Sequence, residues 1–318
     1  PTSGSNRRNS MVVSLRFLCL KIAALILLSG CAERPSPLSW PPPEYEIGTP
    51  QASKALEKYY RQLEVTLRSR GLLRTNQRAK DVPFDMRDLL ENFETVVFYD
   101  EYQRGSTFEK SKGENAKLSK WVSPIRVKVH FGPSISELTR AEDEKNISDF
   151  VSKLAQVTNH PMRMVSQNSN FDVLISREDE HPFMLDTLKA QGAPIGSAAK
   201  RIITQMPRNI HCLVLAFSDP ETEDVYSHAL AVIRAEHPDI LKLACIHEEI
   251  SQGLGLSNDS LRARPSIFND DDEFAFLTDH DEILLKMLYD PRLSPGLSLA
   301  EARPIFQQIA REISSSNR

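Results

Sequence analysis

Apolar residues recur along the chain at two spacings, and each spacing predicts one kind of element. Apolar positions three and four residues apart predict helices, whereas alternating or short continuous apolar runs predict strands. Helices are predicted at 51–70, from 87 onward, and at 135–158, 184–191, 198–206, 238–253, 278–289 and 299–313. Strands are predicted at 125–131, 171–175, 211–217 and 225–233. The predicted fold class is therefore α+β, a mixed sheet with helices around it and a helical segment before it.

The composition favours a packed domain and argues against nucleic-acid binding. Of the 318 residues, 40% are apolar and 26% are charged, so a hydrophobic core is feasible. The formal net charge is -4, whereas a nucleic-acid-binding protein normally carries a basic patch. No nucleic-acid partner is therefore expected.

The N-terminal stretch has the pattern of a bacterial lipoprotein signal. Met11 is interpreted as the true start, because residues 1–10 are polar and include no initiator. Arg16 and Lys21 supply positive charge before an apolar run that is too short to span a bilayer. The sequence LSGC then matches a lipobox, in which the final cysteine, Cys31, becomes lipidated. The alternative is an uncleaved N-terminal anchor.

This signal predicts the domain organisation and the location. Residues 1–31 would be an extension and a signal peptide cleaved before Cys31, which would tether the protein to a membrane. Ala32 resembles the residue that follows the cysteine in outer-membrane lipoproteins, so we expect an outer-membrane protein facing the periplasm. The proline-rich residues 32–50 predict a semi-rigid tether. A helical segment with a loop is expected over 51–120, and the main domain over 121–318.

Two cysteines remain for the exported part of the chain. Cys212 lies in a predicted strand and Cys245 in a predicted helix. An oxidising envelope compartment favours a disulfide between them. Two buried free thiols are the alternative if that strand and helix are not in contact.

The most informative stretch begins in the helix predicted after the last strand. Read from Glu248, it is E-E-x-x-Q-x-x-G-x-x-N, which has the spacing of the metzincin zinc signature H-E-x-x-H-x-x-G-x-x-H with every histidine replaced. Glu248, Gln252 and Asn258 take the ligand positions. Glu249 takes the position of the general base, and Gly255 that of the glycine that turns the chain out of the helix.

A second frame, which starts at His247, is less suitable. The position four residues later is Ser251, so H-E-x-x-H is not formed. Glu248 and Gln252 lie on the same face of a helix, whereas His247 and Gln252, five residues apart, do not. His247 is therefore interpreted as a packed core histidine.

The replaced residues change the expected chemistry. Zinc prefers imidazole and thiolate, whereas Glu248, Gln252, Asn258 and the neighbouring Asp259 offer oxygen, which suits Ca²⁺ or Mg²⁺. Three interpretations stay open: a buried hydrogen-bonding cluster, hydrolysis that depends on a divalent cation (zinc or calcium), and a structural ion held by oxygen. His280 and the acidic residues 270–273 are expected at the surface.

Longer motifs resemble a known family. HEEISQGLGLSNDS, ARPSIFNDDDEFAFLTDHDEILLKMLYDPRLSPGLS, RGLLRTNQRAKDVPF and NFETVVFYDEY are similar to an uncharacterised family of bacterial lipoproteins, domain of unknown function 2927, from about Arg70 to Pro304. LTDHDEILLKMLYD also resembles a segment of matrix-type metzincins, and the order of elements is that of zincin domains. The resemblance implies a zincin-like mixed sheet with a long helix that carries the motif.

Two functions follow as hypotheses. The first is a metal-dependent peptidase or amidase that acts on envelope protein or peptide, with Glu249 as the base and Glu248, Gln252 and Asn258 or Asp259 holding the ion. The second is a binding or structural lipoprotein without catalytic activity, a pseudo-peptidase whose former cleft binds a partner or only supports the fold. In both, Cys31 attaches the chain to the membrane.

Overall fold

A five-stranded sheet lies at the centre of the molecule. The strands are β1 (Ile125–Phe131), β2 (Met162–Met164), β3 (Phe171–Ser176), β4 (Cys212–Asp219) and β5 (Thr222–Arg234). Their order is β2-β1-β3-β5-β4; β4 pairs antiparallel with β5, and all other pairs are parallel. The α+β prediction is confirmed as a mixed α and β fold. The three-residue strand β2 was not predicted, because so short a run carries no periodicity.

The structure is a computed structural model that describes residues 48–100, 115–219, 221–269 and 271–316. The predicted signal segment with Cys31 and the tether up to residue 47 lie outside these residues. All the described residues belong to one compact unit, Trp40–Arg318. None of their helices is both long and apolar enough to cross a membrane.

Eight α-helices surround the sheet in the described residues. They are α1 (Pro50–Ser69), α2 (Met86–Val97), α3 (Glu137–Thr158), α4 (His181–Ala190), α5 (Ser197–Thr204), α6 (Asp239–Gln252), α7 (Asp279–Leu288) and α8 (Leu299–Ser316). Every predicted helix is present. Thr278 caps α7 as predicted, because its side chain accepts the N–H of Asp281 while the Asp281 carboxylate accepts the N–H of Thr278.

The two faces of the sheet pack against different helices. Side chains alternate along a strand, so Val173 and Ile175 join one core, which includes α3 and α6, while Leu174 joins the other, with α4 and α5. Helix α1 packs separately, with Leu56 and Tyr60 beside Leu241 of α6. The sheet is therefore covered on both sides, as expected for parallel strands.

The connections change sides of the sheet between β1 and β3. From β1 the chain runs through α3, on one face, to the outer strand β2. From β3 it runs through α4 and α5, on the other face, toward β4 and β5 at the opposite edge. In open sheets of this kind, ligands bind in the crevice that such a reversal leaves at the carboxyl ends of the strands.

Candidate functional site

The motif lies at the C-terminal end of α6, which a disulfide between Cys212 and Cys245 joins to the edge strand β4. Cys245 precedes Glu248 by three residues, so the bond holds that face of the helix against the sheet. Of the two arrangements that the sequence leaves open for these cysteines, the structure contains the disulfide.

Glu248 and Glu249 bring two carboxylates to the same place beside the disulfide. One oxygen of each and the Sγ of Cys212 all lie within 4.8 Å of one another. Glu249 is buried, and Glu248 is half-buried. In the part of the chain that the structure describes, this is the one group of at least three His, Cys, Asp or Glu side chains that are close enough to share an ion.

This group does not fit a zinc ion. The sulfur of Cys212 is bonded to Cys245 and offers no thiolate, which leaves the two carboxylates as donors. Structural zinc sites use four protein ligands and catalytic sites three, most of them imidazole or thiolate. Two carboxylates are a partial oxygen set, of the kind that Mg²⁺ complements with water and substrate oxygens.

Gln252 and Asp259, two more of the predicted ligands, contact each other. The Nε2 of Gln252 donates to an Oδ of Asp259 at 3.2 Å, and both side chains are half-buried. The bond joins the last residue of α6 to the loop that follows it. This contact belongs to the hydrogen-bonding cluster that the sequence leaves open as one interpretation.

Asn258, the remaining predicted ligand, contacts the end of α2. Its Nδ2 donates to the carbonyl of Thr95 at 3.0 Å, and its backbone N–H donates to the carbonyl of Val96 at 3.2 Å. Carbonyls in the last turn of a helix lack partners within that helix, so these two bonds satisfy the C-terminal end of α2. Asn258 therefore connects the motif loop to a neighbouring helix.

Gly255 produces the turn that is predicted after α6. Its φ of +121° is one that L-residues with a side chain rarely adopt. A Cβ at this position would lie 2.5 Å from the backbone oxygen of Ser119. Next to it, the indole N–H of Trp121 donates to the carbonyl of Gly253 at 2.8 Å. The chain can therefore leave the helix here only with glycine at position 255.

His247, which is predicted to be a packed core histidine, is half-buried between two phenylalanine rings. Its ring stacks on Phe150 and Phe276, with centroid distances of 4.0 and 4.8 Å, and its Nδ1 accepts the N–H of Leu277. Burial, with a smaller effect from the positive charge of Lys153, lowers the pKa of His247 to about 3. The ring is therefore neutral, and its contacts are with Phe150, Phe276 and Leu277.

Two of the residues predicted at the surface are buried. His280 is fully buried, with its Nε2 at 3.2 Å from the Nδ2 of Asn92. Glu273 is also buried and accepts hydrogen bonds from Arg74 and Arg264. The surface prediction is wrong for both, because each has polar partners that offset the cost of burial. Asp270 of the same acidic run lies outside the described residues.

A second set of charged side chains lies at the carboxyl edge of the sheet, where β3 and β5 end. Arg234 is 0% exposed and donates to the carboxylate of Glu178 at 3.2 Å and to the carbonyl of Met206. Glu236 accepts hydrogen bonds from the hydroxyl of Ser53 and the backbone N–H of Glu178. Since Ser53 belongs to α1, that helix covers the cluster.

Burial shifts the pKa values of the acids and histidines at this edge toward their uncharged forms. Burial raises the pKa of Glu178, although the charge of Arg234 opposes the shift, and burial also raises the pKa of Glu236. Burial lowers the pKa of His181 to about 3 and that of His211 to about 4, and Arg234 adds to both shifts. We name Arg234, Glu178 and Glu236 the edge cluster.

A third polar group crosses the face of the sheet on the α4 side. The carboxylate of Asp172 in β3 accepts three hydrogen bonds. The Nε2 atoms of His130 and His228 lie at 2.9 Å from it, and the hydroxyl of Ser169 lies at 2.6 Å. Burial alone would raise the pKa of Asp172, but these three hydrogen bonds together hold it well below its ordinary value. The carboxylate is therefore ionised and joins three strands.

The sequence interpretation did not single out the edge cluster or the Asp172 group. A signal exists in both cases, since each charge interrupts or directly follows an apolar strand. Asp172 lies inside FDVLIS, and Arg234 and Glu236 follow AVI. A buried charge in a strand needs partners, so such positions indicate a polar network.

The comparisons with known proteins identify one family. The model of the family described as "Protein of unknown function (DUF2927)" matches residues 86–308, which is more than half of the chain. No curated protein matches the chain, and no solved structure does. The matched range extends from α2 to α8 and contains the motif, the edge cluster's charged residues and the Asp172 group.

Proposed function

Since the chain belongs to the DUF2927 family, whose description states no activity, we propose that it is an envelope lipoprotein whose domain binds a protein segment without cleaving it. The domain would be a zincin-like scaffold in which the former metal ligands now support the fold. The long helix after the last strand, and the motif spacing at its end, support the zincin-like part of the proposal.

The proposal rests on one observation: predicted metal ligands form hydrogen bonds with other residues of the protein. Gln252 bonds Asp259, and Asn258 bonds the end of α2. The sulfur near the two glutamates is part of a disulfide. Hydrolysis with Glu249 as the base would need a Lewis-acidic ion to polarise the attacking water, and these contacts engage the residues that would hold such an ion.

The disulfide also supports the location. Disulfides persist in oxidising compartments such as the bacterial periplasm and are rare in the cytosol. Together with the lipobox that ends at Cys31, this favours a lipid-anchored protein of the cell envelope, on the periplasmic side of the outer membrane. The lipid on Cys31 would attach the protein to the membrane.

The edge strand β4 offers a place for an extended partner segment. It is the last strand of the described sheet and pairs on one side with β5. An extended peptide can add to such an edge through backbone hydrogen bonds. Ala216 on this strand is exposed. The edge lies directly beside α6, because Cys212 of β4 carries the disulfide.

The peptidase remains the second candidate, and the two close carboxylates favour it. In that case Glu249 would be the base, while Glu248, Gln252 and Asn258 or Asp259 would hold a divalent cation. An oxygen set of this kind would select Mg²⁺ or Ca²⁺ over zinc. The substrate would be an envelope protein or a peptide.

Metal analysis and a hydrolysis assay of the full chain, purified in detergent, distinguish the two candidates. For the binding protein we expect less than a tenth of an equivalent of any divalent metal and no cleavage of casein or peptidoglycan peptides. The wild type and Glu249→Gln would then behave alike. One equivalent of metal, lost in Glu248→Ala, together with cleavage lost in Glu249→Gln, would establish the peptidase.

Photo-crosslinking in cells tests the binding surface. A photoreactive residue at position 216 is expected to yield a discrete crosslinked protein, because the partner segment lies along β4. The matched control carries the same residue at position 138, where Leu138 is exposed on α3. Crosslinks of equal yield at both positions, or none at 216, contradict binding at this edge.

A further inference from the structure

A groove lies at the place where the connections of the sheet change sides, between the end of β1 and helix α4. Its volume is about 610 Å³, within the ~300–1,000 Å³ usual for small-molecule sites. Its lining comes from β1, the loop after it, α3 and α4: Val129, His130, Phe131, Pro133, Arg140, Phe183, Met184, Thr187 and Gln191. We call this the switch-point groove.

Most residues that line the groove are apolar, and one of them, Phe183, is largely exposed to solvent. Phe183, in the first turn of α4, is 64% exposed, although a phenylalanine side chain gains by leaving water. Met184 beside it is buried and belongs to the core under α4. The groove therefore offers apolar surface that the protein itself does not cover.

His130 is held in the groove in a defined orientation. Its Nε2 is at 2.9 Å from the ionised carboxylate of Asp172, which can only accept. The Nε2–H of His130 therefore donates to Asp172, and Nδ1 is the ring nitrogen that this carboxylate does not contact. The same carboxylate also accepts His228 and Ser169, so the orientation of His130 is fixed from outside the groove.

Arg140 adds a positive charge to the same groove. Its Nε donates to the carbonyl of Ile135 at 2.8 Å, and one Nη donates to the carbonyl of Gly132 at 3.0 Å. Its guanidinium carbon is 5.9 Å from the centre of the Phe131 ring. These partners are neutral, and no carboxylate among the described residues lies within 4.0 Å of its nitrogens.

Glu180, the acidic residue that directly precedes α4, already accepts hydrogen bonds from the backbone. Glu180 accepts the backbone N–H of Ser134 at 2.8 Å and that of Arg177 at 3.0 Å. No aspartate or glutamate lines the groove. The half-buried charge of Arg140 is therefore matched best by an anionic group that enters from solvent.

We propose that the switch-point groove binds a small organic acid, with its carboxylate at Arg140 and its apolar body along Phe183 and Met184. The Nδ1 of His130 would hydrogen-bond a polar group of the ligand. This site is separate from the motif on α6, since none of its lining residues belongs to that helix. It is therefore independent of the proposed function.

Calorimetric titration of the full chain with decanoate tests the site, and 1-decanol is the uncharged probe of the same length. We expect one equivalent of decanoate to bind at least tenfold more tightly than decanol, because only decanoate pairs with Arg140. Phe183→Ala should weaken decanoate at least tenfold by removing apolar contact. Leu138→Ala, which removes an exposed side chain outside the lining, should leave the affinity unchanged.

Arg140→Gln completes the test, because it removes the charge and keeps a donor for the loop carbonyls. It should reduce the affinity for decanoate to that for decanol, while circular dichroism stays that of the wild type. Absence of decanoate binding at millimolar concentration overturns the proposal, as does binding that Phe183→Ala leaves unchanged. Equal affinity for decanoate and decanol in the wild type overturns the assignment of an anion.

Discussion

The C-terminal end of α6 and the carboxyl edge of the sheet both collect charged side chains, but they hold them in different ways. At α6, Glu248 and Glu249 lie beside a disulfide, and the following residues connect to a loop and to α2. At the sheet edge, Arg234 is wholly buried and pairs with Glu178 under the cover of α1. The first region is held mainly by a covalent bond, and the second by charge.

This difference shows why a motif and a site are not the same observation. The motif spacing indicates where a helix turns out of the domain, and Gly255 has the positive φ that this requires. The chemistry depends on what the side chains contact, and those contacts involve residues far away in the chain. Thr95 and Asn258, for example, are 163 positions apart. The edge cluster, without any motif, is the more deeply buried of the two.

Arg234→Ala is expected to have the largest effect on stability. It would leave the carboxylate of Glu178 buried without its partner, which typically costs about 3–5 kcal/mol of the free energy of unfolding. Urea denaturation followed by circular dichroism measures the change. We expect the midpoint to fall accordingly, or the chain to be unfolded without urea.

Two controls sharpen this prediction. The double variant Arg234→Met with Glu178→Leu removes both charges, so it should recover most of the loss. Arg292→Ala removes a partly exposed arginine that pairs with Asp290 and Glu312, so a loss of less than about 1 kcal/mol is expected. A double variant as unstable as Arg234→Ala would mean that packing, and not the unpaired charge, explains the loss.

Removal of the disulfide should have the next largest effect. Cys212 and Cys245 are 33 positions apart, and a crosslink that closes such a loop typically stabilises by about 2–4 kcal/mol. We expect Cys212→Ser with Cys245→Ser to lose this amount in urea denaturation. Dithiothreitol should destabilise the wild type equally and leave the variant unchanged. A loss greater than that of Arg234→Ala would reverse the comparison of the two regions.

The sequence predicts the elements well because their signals are local. The alternation over IRVKVHF indicates β1 with the bounds that the structure has, and the Thr278 cap with Asp281 indicates the start of α7. The order of the strands depends on contacts between distant residues. The periodicity of FDVLIS alone indicates a strand, whereas its position between β1 and β5 does not follow from it.

The sites were predicted less completely, for a related reason. The spacing indicated that His247 packs against apolar residues, and its half-buried ring does stack on Phe150 and Phe276. The burial of His280 was missed, because it depends on Asn92, which comes from another helix. No sequence motif indicates the Asp172 group, because its members come from three strands that only the fold brings together.

The smallest expected effect concerns His247 of α6 and the pH dependence of the free energy of unfolding. The pKa of His247 is about 3 in the folded chain and about 6.5 when unfolded, so unfolding binds a proton between these values. Its contribution to stability is therefore present above pH 6.5 and is lost as the pH falls toward 3. From pH 7 to pH 5 this amounts to about 2 kcal/mol. Glu178 and Glu236, whose pKa values are raised, act in the opposite direction.

His247→Phe isolates this contribution from those of the other groups. Urea denaturation at pH 7, 6 and 5 should show that the variant loses about 2 kcal/mol less than the wild type over this range. The control Val65→Ala, at an exposed position of α1, should keep the wild-type pH dependence. Identical pH dependence in His247→Phe and the wild type would mean that the ring is protonated in the folded chain. The end of α6 would then hold a buried charge, and the contrast with the edge of the sheet would disappear.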